Sequence, residues 1–238
     1  MKIRASPRRP SRKSCRPDAG VATGQESTSR RVGSMGSPPL GGPRQSLEQQ
    51  IRIIRVTTPA EYPRELVQDV KLRDGSYIHI RPIRPEDAPR LQELYGRLSR
   101  DTAYHRFFTV MKRLPPDWAQ VLATVDYRRR LALVAEHDGA DGVEIIGVGR
   151  YEPTDEPDTV EVAFVVEDGW QGRGLGTILV REVLDSSAAR GIRRFRAYVL
   201  SDNRRMLDLI TRFGDVRERK TEQGVTELLF TRREERGR

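Results

Sequence analysis

The chain has very little cysteine, little histidine and no long apolar run. Its 238 residues include one cysteine, Cys15, and three histidines, His79, His105 and His137. A single thiol near the N-terminus excludes disulfides, and it excludes a thiolate metal site or catalytic cysteine in the rest of the chain. The histidines lack the spacing of metal ligands, so we expect no metal. No stretch approaches the roughly 18 apolar residues of a membrane span and no secretory segment is visible, which predicts a cytoplasmic protein without a membrane partner.

Basic residues are concentrated at the start of the chain. Residues 1–50 hold ten Lys/Arg and three Asp/Glu, and so carry +7 of the formal charge of +9. They are rich in Ser, Pro and Gly and have no apolar period, which predicts a disordered tail. We interpret it as a solvated arm rather than a nucleic-acid-binding one. Met1 and Met35 are alternative starts; residues 51–69 are predicted to be a lead-in and residues 70–235 one folded domain.

One glycine-rich segment is the most informative motif. It lies between an apolar run, residues 160–166, and a periodic apolar stretch, which predicts strand, turn and helix. The turn consists of Gln171, Gly172, Arg173, Gly174, Leu175 and Gly176. Backbone N–H groups at such a helix N-terminus can surround a phosphate, and glycine lets an anion approach the main chain closely. The alternative is a glycine-rich loop without a ligand.

The spacing of the glycines narrows the choice of ligand. A dinucleotide fingerprint needs G-x-G-x-x-G and an acidic residue about 20 positions later. Here Thr177 occupies the third glycine position, and Arg196 and Ala197 stand where the acid would be. No Gly-Lys-Ser/Thr tripeptide occurs, which excludes the nucleotide-triphosphate loop. The pattern that fits is Gln/Arg-x-x-Gly-x-Gly, and it resembles the pyrophosphate-binding turn of the GNAT superfamily of acyl-CoA N-acyltransferases.

Apolar periodicity and turn residues predict the order of elements as ββ-α-α-βββ-α-β-α-ββ. The first hairpin turns at Asp74-Gly75, and the last helix is capped by Asp202 or Asn203 and stopped by Gly214. The predicted segments are strands at 70–72 and 78–83, helices at 85–98 and from 115, strands at 131–135, 145–151 and 160–166, a helix from 175 to about 191, a strand at 195–200, a helix after 203, and strands at 216–220 and 225–231.

This order is similar to the GNAT fold, an α+β architecture with a mixed, mostly antiparallel sheet flanked by helices. A closer resemblance, to the acetyltransferase domain of bacterial protein lysine acetyltransferases, lies in Leu98-Ser99, Tyr104-x-Arg106-Phe107-Phe108, Asp126-Tyr127, Gly147-x-Gly149-Arg150-Tyr151 and the run from Glu161 to Val166. That family modifies acyl-CoA synthetases and other proteins. The resemblance implies an enzyme that uses acetyl-CoA as co-substrate and a protein lysine as acceptor, acyl-CoA synthetases being one class of acceptor.

The resemblance also implies roles for individual residues. It makes Glu161 the catalytic base; the alternative is a carboxylate on the solvent face of the strand. Residues Phe164, Val165 and Val166 would pair with the pantetheine amides, and the amide of Val166 would polarise the thioester carbonyl. The remaining cofactor-binding residues are Gln171, Gly172, Arg173, Gly174, Leu175, Gly176, Thr177 and Asn203. Arg173 has a solvated side chain as its alternative, and Asn203 a helix cap. Many GNAT enzymes carry a tyrosine as acid where this chain has Ile210, so that role is vacant.

Three other functions compete with protein lysine acetylation. A small-molecule N-acetyltransferase acting on a polyamine or aminoglycoside would share the fold, and acidic residues converging on the acceptor cleft would favour it. A non-catalytic acetyl-CoA sensor would make Glu161 structural. A DNA-binding regulator rests only on the basic tail and ranks last.

Overall fold

The computed structural model describes residues 61–139 and 142–233. The predicted tail, Cys15 and residues 51–60 of the lead-in lie outside them. The described residues form one eight-stranded sheet in the order β1-β2-β3-β4-β5-β6-β8-β7. The strands are β1 (Gln68–Lys71), β2 (Tyr77–Pro82), β3 (Leu131–Gly139), β4 (Gly142–Pro153), β5 (Thr159–Val166), β6 (Arg194–Leu200), β7 (Gly214–Glu222) and β8 (Val225–Arg232).

Five α-helices flank the sheet in the described ranges. They are α1 (Ala88–Arg97), α2 (Arg100–Phe107), α3 (Pro116–Ala123), α4 (Leu175–Ala189) and α5 (Arg204–Phe213). None of the helices described is long and apolar enough to cross a membrane. The predicted α+β architecture, a mixed and mostly antiparallel sheet flanked by helices, is confirmed.

The sheet opens between β5 and β6. All other neighbouring strands are antiparallel, whereas β5 and β6 are parallel and pair only where Thr159, Val160 and Glu161 face Arg194, Phe195 and Arg196. Beyond that point β5 keeps its pairing with β4, and β6 keeps its pairing with β8 along its whole length. The two strands therefore separate toward their C-terminal ends and leave a wedge in the sheet.

Helix α4 packs closely on the middle of the sheet because β4 carries glycine beneath it. Its buried side includes Leu175, Leu179 and Val183, each fully buried. A Cβ on Gly147 would stand 3.2 Å from Leu179, and one on Gly149 would stand 3.0 Å from Val183. Burying each of these aliphatic side chains contributes roughly 1.5–3 kcal/mol. The packing fixes the N-terminus of α4 at the mouth of the wedge.

The sequence prediction missed one helix, α2. The other predicted helices and strands are present, with small shifts at their ends. Helix α2 has only two buried apolar residues, Ala103 and Phe107, so no stripe of 3.6 period marks it. Its start is set instead by a cap, because Ser99 Oγ accepts a hydrogen bond from the amide of Thr102 at 3.1 Å. It ends at Phe107, and the next residue, Phe108, has a φ of 54° in the left-handed region.

Candidate active site

A cavity of about 770 Å³ occupies the wedge between β5 and β6. One wall is β5 from Glu161 to Val166, and the opposite wall is β6 from Ala197 to Val199. The glycine turn closes one end, while α2, the length of α5 and Arg73 of the β1–β2 hairpin contribute to the rest of the lining. Segments far apart in sequence therefore converge on one cleft.

The glycine turn presents backbone amides at the N-terminus of α4. Gly172 and Gly174 have φ values of 77° and 102°, in the left-handed region that favours glycine. Gly174 is the N-cap of α4 and provides no side-chain hydrogen bond to the first turn. The N–H groups of that turn and the helix dipole make the end of α4 suitable for an anion. Gly172, Gly174, Gly176 and Thr177 all line the cavity.

Two polar residues of the turn have structural partners. The Gln171 side-chain amide donates to the carbonyl of Val166 at 3.0 Å and to Thr102 Oγ1 at 3.1 Å, which ties the end of β5 to α2. The Arg173 guanidinium donates to Asp74 at 3.0 Å and lies 4.6 Å from the Trp170 ring centre. Gln171 lines the cavity, whereas Arg173 is not among the described residues that line it.

Leu175, unlike its neighbours Gly174 and Gly176, is not among the described residues that line the cavity. Its side chain is fully buried in the core, beneath the turn whose conformation it anchors. Phe164, Val165 and Val166 line the cavity along the strand edge that β6 has left. An unpaired strand edge offers N–H and C=O groups to an extended ligand, which can add to the sheet there.

Glu161 lies at the point where the two strands part. In the sheet register it stands between Glu152 on β4 and Arg196 on β6, and it lines the cavity. Arg196 is shared with Glu156 at 2.7 Å and Glu227 at 2.9 Å. The structure thus places Glu161 in the cavity wall rather than on an open solvent face.

Arg106 adds a positive charge to this wall. Desolvation, reinforced by the neighbouring Arg150, lowers the pKa of Arg106 to about 10, and the carboxylates of Glu161 and Glu152 oppose that shift. Its guanidinium lies over the Phe107 ring, 4.9 Å from the centre. Arg106 therefore remains charged at neutral pH, within electrostatic reach of Glu161.

A buried charge cluster lies next to Glu161 in the sheet, because Glu152 is its register partner on β4. Glu152 accepts hydrogen bonds from both Arg150 and Arg130, and the side chains of Glu152 and Arg150 are only 4% and 3% exposed. Arg150 also donates to the carbonyl of Leu122 at 3.1 Å. Burial alone would raise the pKa of Glu152, but the two guanidinium groups outweigh it, and the pKa is lowered. The cluster ties β4 to α3, through the carbonyls of Leu122 and Val121.

The opposite wall contains the start of α5. Asn203 lines the cavity, and its Oδ1 also accepts a hydrogen bond from the amide of Met206 at 3.2 Å, so it caps the helix. Its neighbour Asp202 lies 3.4 Å from His105 of α2. Ile210 is 1% exposed and lines the same cavity.

Tyr198 is the only tyrosine among the described residues that line the cavity. Burial, followed by the nearby carboxylate of Glu227, raises the pKa of Tyr198 to about 12. The phenol is therefore protonated at neutral pH, and the Glu227 carboxylate is its hydrogen-bond partner.

The sequence prediction did not identify several cavity residues, namely Arg73, Thr102, His105, Arg106 and Tyr198. Three of them belong to α2, which has no clear apolar period. The motif Tyr104-x-Arg106-Phe107-Phe108 marked this segment without indicating its place in the site. Arg73 and Tyr198 carry no local signal, because only the tertiary fold brings them to the cleft. No cluster of metal-ligating side chains occurs in the described ranges.

The comparisons with known proteins agree with this geometry. Residues 92–215 match the model of the Acetyltransferase (GNAT) family, and the chain belongs to that family. It is 32% identical over 148 residues to Acetyltransferase PA5475 of Pseudomonas aeruginosa, covering 62% of this chain and 80% of that protein. The protein is therefore an acyltransferase of the GNAT type, and the predicted fold and family are confirmed.

Two further relatives are of the Pat type. The chain is 34% identical over 149 residues to Acetyltransferase Pat of Mycolicibacterium smegmatis, covering 62% of this chain but only 44% of that relative. The solved GNAT domain of S. lividans PAT is 36% identical with a TM-score of 0.65, over 72% of this chain and 99% of that domain. The predicted similarity to Pat-type acetyltransferases is thereby confirmed, while the roles of individual residues stay predictions.

Proposed function

We propose that the protein transfers the acetyl group of acetyl-CoA to the ε-amino group of a protein lysine. The observation that carries the proposal is the placement of Glu161, the open edge of β5 and the glycine turn along one continuous cavity. An acyl donor held at the turn and along the strand edge would bring its thioester toward a carboxylate. The similarity to Pat-type acetyltransferases supports a lysine as the acceptor.

The cavity suits acetyl-CoA as the donor. Positive-φ glycines and the N-terminus of α4 form a binding site for the diphosphate. Gly174 has a φ of 102°, so a residue with a Cβ would be strained at this position. The free edge at Phe164, Val165 and Val166 suits the two amides of pantetheine. Four further arginines, Arg73, Arg204, Arg205 and Arg212, line the cavity and supply positive charge for phosphates.

Acetyl transfer requires a neutral amine beside the thioester carbonyl. In this proposal Glu161 accepts a proton from the lysine ammonium, directly or through water. The amine nitrogen then bonds to the carbonyl carbon, the carbon–sulfur bond breaks, and the second nitrogen proton neutralises the departing thiolate. The amide of Val166 donates to the developing oxyanion. General-base assistance of this kind contributes roughly 10²–10⁴ in rate.

Tyr198 suits hydrogen bonding better than proton transfer. A free thiol of the cysteine kind has a pKa of about 8.5, whereas the pKa of Tyr198 is raised to about 12. Transfer of its proton to a thiolate would therefore be uphill. With Ile210 in the cavity wall, we propose that solvent or the attacking amine supplies the proton.

The charges of the cavity disfavour a polycationic acceptor. Five arginines line it against three carboxylates, Glu161, Asp202 and Asp208. An aminoglycoside or polyamine carries several positive charges, and a site built for one would converge acidic groups on it. A lysine side chain carries only one charge, so its binding needs fewer acidic groups than a polycation does. This observation favours the protein acceptor over the small-molecule alternative.

The test is a comparison of acceptors with the full chain. Purified protein and acetyl-CoA are incubated with a peptide containing one lysine, with the same peptide carrying N-acetyl-lysine, with spermidine or with kanamycin. CoA release gives kcat/KM, and mass spectrometry locates the acetyl group. We expect the lysine peptide to exceed both small molecules by at least about tenfold, or 1.4 kcal/mol. A higher kcat/KM with spermidine or kanamycin would establish the small-molecule function instead.

A further inference from the structure

The β1–β2 hairpin turn rests against the glycine turn. The amide of Arg73 donates to the carbonyl of Arg173 at 3.5 Å. The next residue, Asp74, forms an ion pair with the Arg173 guanidinium at 3.0 Å. These contacts join segments 99 residues apart in sequence. The β1–β2 turn, which is not part of the glycine motif, is thus bonded directly to that motif.

The two arginines at this junction have different surroundings. Arg173, which belongs to the motif, donates to Asp74 and lies over Trp170. Arg73, which does not, lines the cavity, and its Cγ and Nε lie 3.8 Å from the position of a Cβ on Gly174. In residues 61–139 and 142–233, no carboxylate lies within ion-pair distance of Arg73. Its guanidinium is therefore available to an anion at the glycine turn.

We propose that Arg73 is a phosphate-binding residue of the acyl-CoA site, contacting the diphosphate that the glycine turn holds. The inference rests on the proposed use of acetyl-CoA and extends it to a residue outside the motif. Amides at the N-terminus of α4 would bind one side of the diphosphate, and the planar guanidinium would bind another with paired hydrogen bonds. The Asp74–Arg173 ion pair acts as a strap that keeps Arg73 over Gly174.

Binding to two ligands tests the assignment. Calorimetry measures Kd for CoA and for dephospho-CoA, which retains the diphosphate but lacks the 3′-phosphate. Arg73→Gln should raise both Kd values by the same factor, roughly tenfold to a hundredfold for a lost charge-assisted contact. Arg73→Lys should give a smaller increase, since the charge remains but the paired geometry is lost.

A matched control uses Lys71 on the same hairpin. Lys71 lies over the Tyr77 ring, 5.3 Å from its centre, and is not among the described residues that line the cavity. Lys71→Gln removes the same charge and should change both Kd values less than twofold. An equal effect of the two substitutions would mean that Arg73 acts only through the overall charge, and would overturn the proposal.

The strap is tested by combining substitutions. Asp74→Asn should raise the Kd for CoA severalfold in the parent and cause no further increase in the Arg73→Gln variant. If the two substitutions raise the Kd for CoA additively, the Asp74–Arg173 ion pair does not act by positioning Arg73. If Arg73→Gln weakens CoA but not dephospho-CoA, Arg73 binds the 3′-phosphate and the assignment is wrong. If the Arg73→Gln variant binds CoA as tightly as the parent does, only this inference is overturned. If the parent itself binds no CoA, the proposed function is overturned.

Discussion

Glu152 provides a sharp test of what stabilises the strand next to Glu161. Its carboxylate is 4% exposed and accepts hydrogen bonds from Arg150 and Arg130. Glu152→Gln keeps the size of the side chain but leaves both guanidinium groups without their counter-charge. Removing one partner of a buried ion pair typically costs about 3–5 kcal/mol, because the remaining charge stays desolvated. Both arginines keep hydrogen bonds to backbone carbonyls, which places the expected loss near the lower end, at about 3 kcal/mol.

Urea denaturation at pH 7 measures this loss as a change in the free energy of unfolding. The matched control is Glu156→Gln, which makes the same chemical change four residues later. Glu156 pairs with Arg196, but its side chain is 47% exposed, and a pair of that kind contributes about 0–1 kcal/mol. A similar loss in both variants would refute the role assigned to the buried cluster.

The pH dependence of the same difference follows from the lowered pKa of Glu152. A carboxyl whose pKa is lower in the folded state stabilises the protein above its unfolded-state pKa, about 4.3 for glutamate. That contribution declines as the pH falls through the folded-state pKa. The gap between the parent and Glu152→Gln should therefore be constant near neutral pH and should narrow below about pH 4.3. A gap that widens in acid would contradict the sign of the shift.

Two glycine substitutions give further predictions. Gly149→Ala should lower the free energy of unfolding by roughly 1–3 kcal/mol and reduce turnover, because its Cβ would stand 3.0 Å from both Phe164 and Val183. Urea denaturation measures the first effect and CoA release the second. Unchanged stability and turnover would contradict the close packing of α4. Gly174→Ala should raise the Kd for CoA at least about tenfold, or 1.4 kcal/mol, and should also lower stability because its φ is positive. The control is Gly191→Ala, with a similarly positive φ of 81° at the other end of α4. It should lower stability and leave the Kd for CoA unchanged. Equal affinities in calorimetry would exclude the turn from the site.

Local signals explain what the sequence predicted of the fold. The segment around the glycine turn combines a strand, positive-φ glycines and an apolar helix within about 30 residues, and each part is recognisable alone. The predicted strands and four of the five described helices follow from such patterns. Helix α2 does not, because a polar cap and two buried residues define it. Its absence from the prediction hid Arg106 and His105 from the candidate site.

The features of the site that the sequence did not predict arise from contacts between segments that are distant in the chain. The role of Arg173 as a phosphate contact stays a prediction, but the sequence did not indicate that Asp74, from the first hairpin, forms an ion pair with its guanidinium. The same hairpin delivers Arg73 to the cleft. The side chains of β6, including Tyr198, alternate between the two faces of the sheet as in any strand. Tyr198 reaches the cavity only because β5 and β6 separate beside it. No local pattern encodes these placements, since they depend on where the sheet opens.

The most direct test of the central claim is the effect of Glu161→Gln on turnover and on CoA binding. The substitution preserves size but removes the proton acceptor, so kcat with a lysine peptide should fall by roughly 10²–10⁴ near neutral pH. The Kd for CoA should stay within about twofold of the parent, because in this account the carboxylate contacts the amine and not the phosphates. Glu227→Gln, a matched loss of a carboxylate beside Tyr198 and Arg196, should remain within a few-fold of the parent. A Glu161→Gln variant that folds, binds CoA and turns over within a few-fold of the parent at every pH would contradict the account.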